Sequence, residues 1–235
     1  LSTAGFSDFA GSTLVHACGG AAALAGVLVL GPREGRFSKS GESKSLVPFA
    51  ASSIPLVTLG TFLLWFGWFG FNGFSQLAMG TFDDVNAISK IAVNTHLAGA
   101  AGTVTAALVT RLLGGKTDII MMLNGALAGL VAITAEPLTP NPLFAIVVGS
   151  IGSLIMYFGT KFLESKKIDD VVGAIPVHMF AGIFGTLIVP ATNTETSFGT
   201  QFTGVISVCI FSFILSYITF KAVSYTHLTL PTKLA

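Results

Sequence analysis

Two histidines of this chain occur in the same sequence frame, within two apolar segments. Residues Asp8–Gly20 and Asp170–Gly182 share the pattern D-x2-G-x3-V-H-x3-G, which contains His16 and His178. Glycine and valine are common here, but only four histidines are present in 235 residues, so their repetition carries the weight of the match. A neutral imidazole offers one hydrogen-bond donor and one acceptor. A facing pair would therefore let a small polar solute cross an apolar passage.

The histidines and aspartates of the repeat also have a structural interpretation. A histidine in an apolar helix can serve only to satisfy a neighbouring helix, and this alternative weakens when two histidines share one frame. Burial disfavours the charged imidazole, so both are expected to be neutral. Asp8 and Asp170 precede apolar runs, where aspartate caps a helix and faces the positive end of its dipole. Capping is preferred over substrate contact for both, although Asp8 would also favour cations at an outer mouth.

A second candidate site is the aromatic segment Leu64–Ser75, which reads LWFGWFGFNGFS. Aromatic faces attract small cations, so the segment is suited to a cation–π cradle at a pore mouth. The alternative is an aromatic belt at a membrane interface. The interleaved glycines favour close packing, which a belt does not need.

Other polar residues have plainer interpretations. His96 lies among small residues and is expected to serve helix packing, as is Asn124. Glu136 and Glu195 are expected to be solvated in loops. The sequence shows no Ser–His–Asp set, phosphate loop or metal-spaced cluster, and Cys18 and Cys209 lie in apolar runs. We therefore expect no enzymatic activity, no metal site and no cofactor.

The elements that position these residues are indicated by composition. Charged residues make up 10% of the chain and hydrophobic residues 52%, with a mean hydropathy of +0.80 and a net charge of +1. An average soluble domain has about 25% charged residues. The composition excludes a soluble globular enzyme, a disordered chain and a nucleic-acid-binding protein, and it predicts an all-α polytopic membrane protein.

Seven segments approach the length of about 20 apolar residues that crosses a bilayer. None alternates apolar and polar residues as a barrel strand does, so all are expected to be helical. They are Asp8–Leu30, Val47–Gly73, Val85–Thr110, Ile119–Ala135, Leu143–Phe162, Val171–Val189 and Thr200–Phe220.

Basic residues occupy alternate loops, which supports the count of seven. All but one of the 12 lysines and arginines lie between spans one and two, three and four, or five and six, or after span seven. They are Arg33, Arg36, Lys39, Lys44, Arg111, Lys116, Lys161, Lys166, Lys167, Lys221 and Lys233. The exception, Lys90, can extend outward from the start of span three. The positive-inside rule places the N-terminus outside and the C-terminus in the cytoplasm.

This topology places both histidines at the same depth. Each lies eight residues after its aspartate, about 12 Å along a helix axis, and the two spans start from opposite sides of a core about 30 Å thick. Inverted repeats with functional residues near the midplane are typical of transporters. The predicted membrane domain comprises residues 1–223. The segment 224–235 (SYTHLTLPTKLA) lacks a clear period and is expected to be a non-native or disordered tail.

In these motifs the chain resembles the ammonium transporter family (Amt/Mep, related to Rhesus proteins). The resemblance covers residues 7–223 and rests, in order, on DFAGSTLVH, GPREGRF, WFGWFGFNGFS, AVNTHLAGAAGT, NGALAGLVAITA and DDVVGAIPVH. It implies seven transmembrane helices like the fifth to eleventh of an eleven-helix fold with inverted repeats. It also implies a fragment lacking the first four helices, and homotrimers in the plasma membrane with one pore per subunit.

The resemblance assigns roles to individual residues. His16 and His178 resemble the twin histidines of the pore, and Trp68 the tryptophan that lines it. Phe71 resembles one of two gating phenylalanines. Two further residues, Ser75 and Asp8, resemble the vestibule hydroxyl that holds ammonium and an acidic residue of largely structural role nearby.

One position departs from the family pattern. Gly173 stands where many members have an aspartate five residues before the second histidine, which removes any contribution from that carboxylate.

The implied function is transport of ammonium or ammonia across the bilayer. Ammonium would be recruited by aromatic faces and a hydroxyl, lose a proton near the gate, and pass the histidines as ammonia. Two alternatives remain: an ammonium sensor of the same fold that conducts little, and a seven-helix retinal protein. The latter needs a lysine in mid-membrane, whereas span seven has only Lys221, at its end.

Overall fold

The computed structural model describes residues 1–37 and 49–228, and the secondary-structure elements of this part of the chain are all helices. Seven α-helices are accompanied by two π-helical turns, which precede α1 and α6, and by short 3-10 segments at Ser2–Ala4 and Val189–Ala191. The first π-turn is Ser12–Ala17 and the second is Ile175–Phe180. The α-helices are α1 Cys18–Leu30, α2 Ile54–Phe74, α3 Phe82–Gly114, α4 Ile119–Ile133, α5 Pro142–Ser165, α6 Ala181–Leu187 and α7 Phe198–Leu228.

The predicted all-α membrane architecture is confirmed, and each predicted span overlaps one of these helices. In the described residues five helices are long and apolar enough to cross a bilayer: α2, α3, α5, α7 and α1 with its π-turn. The other two, α4 and the segment Ile175–Ala191, are apolar but shorter. Both lie in the interior of the bundle, where their apolar side chains pack against neighbouring helices rather than against lipid.

Some helix ends differ from the predicted spans because capping residues decide them. α2 begins at Ile54, where the Ser53 hydroxyl accepts a hydrogen bond from Leu56 N, rather than at Val47. Val47, Lys39 and Lys44 lie outside the described residues. At α3, Thr81 and Asp84 form a reciprocal capping box that starts the helix three residues before the predicted Val85.

The last helix passes the expected end of the membrane domain. α7 continues to Leu228, five residues beyond Val223, so no helix end marks that boundary. Residues 229–235, which include Lys233 and most of the expected tail, lie outside the described residues.

Small residues bring α3, α4 and α5 into close contact. A Cβ on Gly102 of α3 would clash with the carbonyl of Gly125 on α4, and a Cβ on Gly149 of α5 would clash with the backbone of Ala98 on α3. Ser153 donates a hydrogen bond to Gly102 O at 2.8 Å. Such close backbone approach is how membrane helices gain packing energy without a hydrophobic driving force. The result is a three-helix unit in which each helix is in direct contact with the other two.

An ion-pair cluster ties two of the basic-side loops together. Arg33, after α1, donates from its Nε to Asp169 Oδ2 at 2.7 Å and from its Nη2 to Asp169 Oδ1 at 2.9 Å. Arg36 Nε lies 3.3 Å from Asp169 Oδ1, and its Nη2 lies 3.5 Å from Glu164 Oε1. The Asp169 side chain is almost fully buried. These bonds lower the pKa of Asp169 from 3.8 to about 2, because the adjacent Arg33 guanidinium favours the charged carboxylate.

This cluster predicts a pH-dependent contribution to stability. Because the pKa of Asp169 is lower in the folded state than its ordinary value, its ion pairs stabilise the fold above about pH 4 and lose their effect as the pH falls toward about 2. Asp169→Asn is therefore expected to lower the thermal unfolding midpoint of the detergent-solubilised protein near neutral pH, and the gap to the unsubstituted protein should close in acid. A gap that stays constant over this pH range would contradict the assignment.

On the opposite side of the bundle, one loop carboxylate differs from expectation. Glu136 was expected to be solvated, but it is only 7% exposed. Its Oε2 accepts a hydrogen bond from Asn193 Nδ2 at 2.9 Å, and its Oε1 accepts one from Thr139 N at 3.3 Å. Glu136 therefore joins the loop after α4 to the loop before α7. Glu195 is not buried.

Candidate functional site

The two copies of the histidine repeat have the same local construction at their starts. Asp8 Oδ2 accepts hydrogen bonds from Thr13 N at 2.9 Å and Leu14 N at 2.8 Å. Asp170 accepts bonds from the backbone N–H groups of residues 173, 174 and 175 at 2.7–3.1 Å. Both aspartates thus accept hydrogen bonds from the free N–H groups at the start of a half-helix. Each half-helix is a π-turn together with the α-helix that follows it, residues 12–30 in the first copy and 175–187 in the second.

The first glycine of each repeat is required by its backbone conformation. Gly11 has φ +106° and Gly173 has φ +79°, a region that side chains with a Cβ rarely adopt. The departure of Gly173 from the family pattern therefore fits the local backbone, since it matches Gly11 in the other copy. Each left-handed glycine turns the chain into a π-helical turn, and π-turns within helices are frequent at functional sites.

The second glycine of each repeat lies where the two half-helices cross. A Cβ on Gly20 would lie 2.5 Å from Met179 N, and a Cβ on Gly182 would clash with Ser12 O. Each glycine therefore faces the π-turn of the other copy. The crossing brings His16 and His178, which lie four residues before these glycines, next to each other.

The two imidazoles form a direct pair. Their Nδ1 atoms are 3.3 Å apart, and their ring centroids are 5.3 Å apart with an interplanar angle of 19°. One Nδ1 must donate and the other accept, so the pair needs at least one neutral ring. His16 Nε2 is buried and has no hydrogen-bond partner in the part of the chain that the structure describes. The pair therefore presents an unused polar atom within apolar surroundings.

Two aromatic rings of α2 contact His16. Trp68 stacks on His16 with centroids 4.9 Å apart and an interplanar angle of 15°. The Phe71 ring lies 5.6 Å from His16 and 5.9 Å from Trp68. Trp68 is 5% exposed, whereas Phe71 is 39% exposed. Phe71 is thus the exposed member of this aromatic set and Trp68 the buried one, while His16 and His178 are both half-buried.

The remaining predicted site residues lie nearer the ends of the half-helix and of α2. Ser75 ends α2, and its hydroxyl donates to Phe71 O at 2.8 Å, which leaves oxygen lone pairs available to a cation. Ser75 is not among the ring contacts and lies one turn beyond the Phe71 backbone. Asp8 lies at the start of the His16 half-helix and uses its carboxylate for backbone hydrogen bonds.

His96 and Asn124 lie apart from the histidine pair. His96 contacts Trp65 and Phe69 of α2, with centroid distances of 5.5 and 6.2 Å, and makes no contact with the pair. Asn124 donates to Val172 O at 3.0 Å and so holds the loop that leads to the second π-turn.

Sequence patterns did not identify two buried polar groups that support the site. Thr134, at the end of α4, accepts a hydrogen bond from Trp68 Nε1 at 2.9 Å. Gln201 of α7 bonds both backbone atoms of Ser7, at 2.9 and 2.6 Å, and donates to Thr186 O at 2.9 Å. Both residues are fully buried. Their polar side chains in apolar helices were the only available signal. Within the described residues, no group of three or more His, Cys, Asp or Glu side chains is arranged to hold a metal ion.

Comparison with known proteins agrees with this architecture. The model of the Ammonium Transporter Family matches residues 1–233. The chain is 46% identical to ammonium transporter Amt2 of Archaeoglobus fulgidus over 183 residues, which cover 78% of this chain and 38% of that protein. It is 41% identical to a putative ammonium transporter of Synechocystis over 224 residues, which cover 94% of this chain and 50% of that protein. The chain thus spans half or less of the length of these relatives.

Solved structures give the same result. A protein described as a sensor Amt protein superimposes with a TM-score of 0.88 at 34% identity, covering 96% of this chain and 57% of the other. Mep2 of Candida albicans superimposes with a TM-score of 0.83 at 27% identity, covering 95% and 51%. The matched residues include both half-helices and the aromatic segment of α2. This integral membrane chain belongs to the ammonium transporter family.

Proposed function

We propose that the protein carries ammonium across a membrane through a passage centred on His16 and His178. The observation that carries the proposal is the half-buried imidazole pair, whose Nδ1 atoms lie 3.3 Å apart while the buried His16 Nε2 has no hydrogen-bond partner among the described residues. With the two Nδ1 atoms sharing one hydrogen, one ring has a protonated Nε2 and the other a bare Nε2. Ammonia, which both donates and accepts hydrogen bonds, fits such a pair.

The surroundings of the pair favour the neutral species. An ammonium ion entering an apolar passage would lose its hydration without charged partners, which is costly. We infer that the cation is held outside the passage by the exposed face of Phe71 and the Ser75 hydroxyl, where cation–π attraction and an oxygen acceptor are available. Near Phe71 and Trp68 it gives a proton to water at the outer mouth and continues to the histidines as ammonia. Potassium ions have no proton to lose and find few oxygen ligands, so they are rejected.

The membrane arrangement is part of the proposal. The basic residues that the structure describes outside the helices all lie in the loops after α1, α3 and α5. The positive-inside rule places these three loops in the cytoplasm. The substrate then enters from the other side, where Ser75 ends α2. As the family resemblance implies, the protein is proposed to act as a homotrimer in the plasma membrane, with no nucleic acid partner.

The proposal is tested with the protein expressed from its complete gene in cells that lack their own ammonium transport. Growth on low ammonium and uptake of labelled methylammonium are expected, and excess ammonium should compete with this uptake while excess potassium should not. Absence of uptake with the protein present in the membrane would contradict transport.

An ammonium sensor is the second candidate function. The observation in its favour is the high structural similarity to a protein described as a sensor. A sensor is expected to bind ammonium without catalysing uptake. Binding would be detected as a change in the fluorescence of Trp68, which stacks on His16. Binding together with uptake supports the transporter.

A further inference from the structure

Behind the Trp68 ring lies a chain of buried hydrogen bonds. Trp68 Nε1 donates to Thr134 Oγ1 at 2.9 Å, and this hydroxyl lies 3.2 Å from Asn72 Oδ1 and 2.7 Å from Leu130 O. Asn72 Nδ2 donates to Thr95 Oγ1 at 3.0 Å. The side chains of Asn72, Thr95 and Thr134 are fully buried.

The chemistry of these groups fixes the direction of the bonds. An indole N–H can only donate, so Thr134 Oγ1 must accept from Trp68. The single hydroxyl hydrogen of Thr134 is then directed to Leu130 O or Asn72 Oδ1. A valine would have the shape of threonine at this position, but it would leave the indole N–H buried without an acceptor, which is costly.

The backbone of Thr134 holds the other partner of the stack. Thr134 O accepts a hydrogen bond from Ala10 N at 3.0 Å, and the next carbonyl, Ala135 O, accepts one from Phe9 N at 2.8 Å. Residues 9 and 10 lead directly into the first π-turn, which carries His16. Thr134 therefore binds Trp68 with its side chain and the start of the His16 half-helix with its backbone.

From this geometry we propose that Thr134 is a positioning residue that sets the separation of Trp68 from His16 and thereby the width and selectivity of the passage at the histidine pair. The inference rests on the proposed transport function and assigns to Thr134 no contact with the substrate. The separation it fixes is the 4.9 Å stacking distance. Asn72, one turn after Trp68 on α2, lies against the same hydroxyl, and the indole cannot tilt away without breaking its hydrogen bond to Thr134.

Three variants separate this role from a general contribution to stability. Thr134→Val removes the hydroxyl and retains the shape, whereas Thr134→Ser retains the hydroxyl. Thr61→Val is the matched control, because Thr61 is a buried threonine of α2 whose hydroxyl, among the described residues, bonds to Val57 O of its own helix, at 3.0 Å. Thr134→Val is expected to lower ammonium uptake about tenfold, the factor that corresponds to one lost hydrogen bond. Thr134→Ser and Thr61→Val should stay within about twofold, below the effect of one such bond.

Two further measurements report positioning rather than stability. The first is the ratio of methylammonium to ammonium uptake, which should rise in Thr134→Val as the indole moves away from His16. The second is the NMR signal of the Trp68 indole N–H, identified by its loss in Trp68→Phe. This signal should shift toward that of a free indole in Thr134→Val and stay in place in Thr134→Ser.

The outcomes distinguish this proposal from the proposed function. If Thr134→Val lowers uptake with an unchanged indole signal, or changes neither, the positioning role is overturned. If Thr134→Val does not reach the membrane, the unsubstituted protein still decides: a hydrogen-bonded, slowly exchanging Trp68 indole supports the proposal, and a free one overturns it. If the unsubstituted protein carries no ammonium while the indole signal behaves as expected, the transport function fails and the placement of Trp68 by Thr134 stands.

Discussion

His16→Ala and His178→Ala are each expected to lower ammonium uptake about 10- to 100-fold, because each variant leaves hydrogen-bonding groups unsatisfied in an apolar passage, at a cost of about 1–3 kcal/mol. The two imidazoles share one Nδ1–Nδ1 hydrogen bond, so loss of either ring also releases the other from its orientation. The double variant should therefore be little worse than the single ones. Uptake of labelled methylammonium in cells without their own ammonium transport measures the effect.

The chain offers a matched control for these variants. His96 also lies in a membrane-spanning helix and also contacts aromatic rings of α2, but it is on a different face from the pair. His96→Ala should reach the membrane in similar amounts and retain uptake, since His96 contacts Trp65 and Phe69 but neither histidine of the pair. Unchanged uptake in both His16→Ala and His178→Ala would overturn the role of the pair. Equal loss in all three variants would show that the effect is on folding.

The sequence frame predicted the pair because its chemistry is local. Aspartate, glycine and histidine recur at fixed spacing, and alternate basic loops place the two copies in opposite orientation, so His16 and His178 could be paired before any coordinates. The π-helical turns could not be predicted in the same way, because they depend on which N–H groups each aspartate accepts. The pattern contained Gly11 and Gly173 without revealing their left-handed conformation.

The residues that support the site could not be predicted from the sequence, because their partners are distant in the chain. Gln201 bonds Ser7, 194 positions away, and Trp68 bonds Thr134, 66 positions away. A glutamine or threonine in an apolar helix shows that a partner exists, but only the fold identifies it. The prediction that Glu136 is solvated was wrong for the same reason, since its main partner, Asn193, belongs to another loop.

The second glycine of the repeat leads to the other large expected effect. Gly20→Ala is expected to destabilise the protein by about 1–3 kcal/mol, the usual cost of inserting a methyl group into a packed interior. The new Cβ would lie within 3 Å of Met179 N, Cβ and Cα, two of which are backbone atoms that cannot rotate away. The second π-turn must then move, and His178, the residue before Met179, moves with it. Uptake should fall at least about tenfold, as expected when the His16–His178 hydrogen bond is lost.

The neighbouring residue tests whether crowding at the crossing is the cause. Gly19 belongs to the same turn of α1, and a Cβ at Gly19 meets no atom of the described residues within 4 Å. Gly19→Ala therefore makes the same chemical change one position away, and alanine favours a helix over glycine by about 1 kcal/mol. Its unfolding midpoint in detergent should be equal or higher, with normal uptake. If Gly20→Ala matches Gly19→Ala in both measurements, the half-helices do not cross as closely as described, and the imidazole pair must be held together by other contacts, such as the Thr13–Thr186 hydroxyl bond.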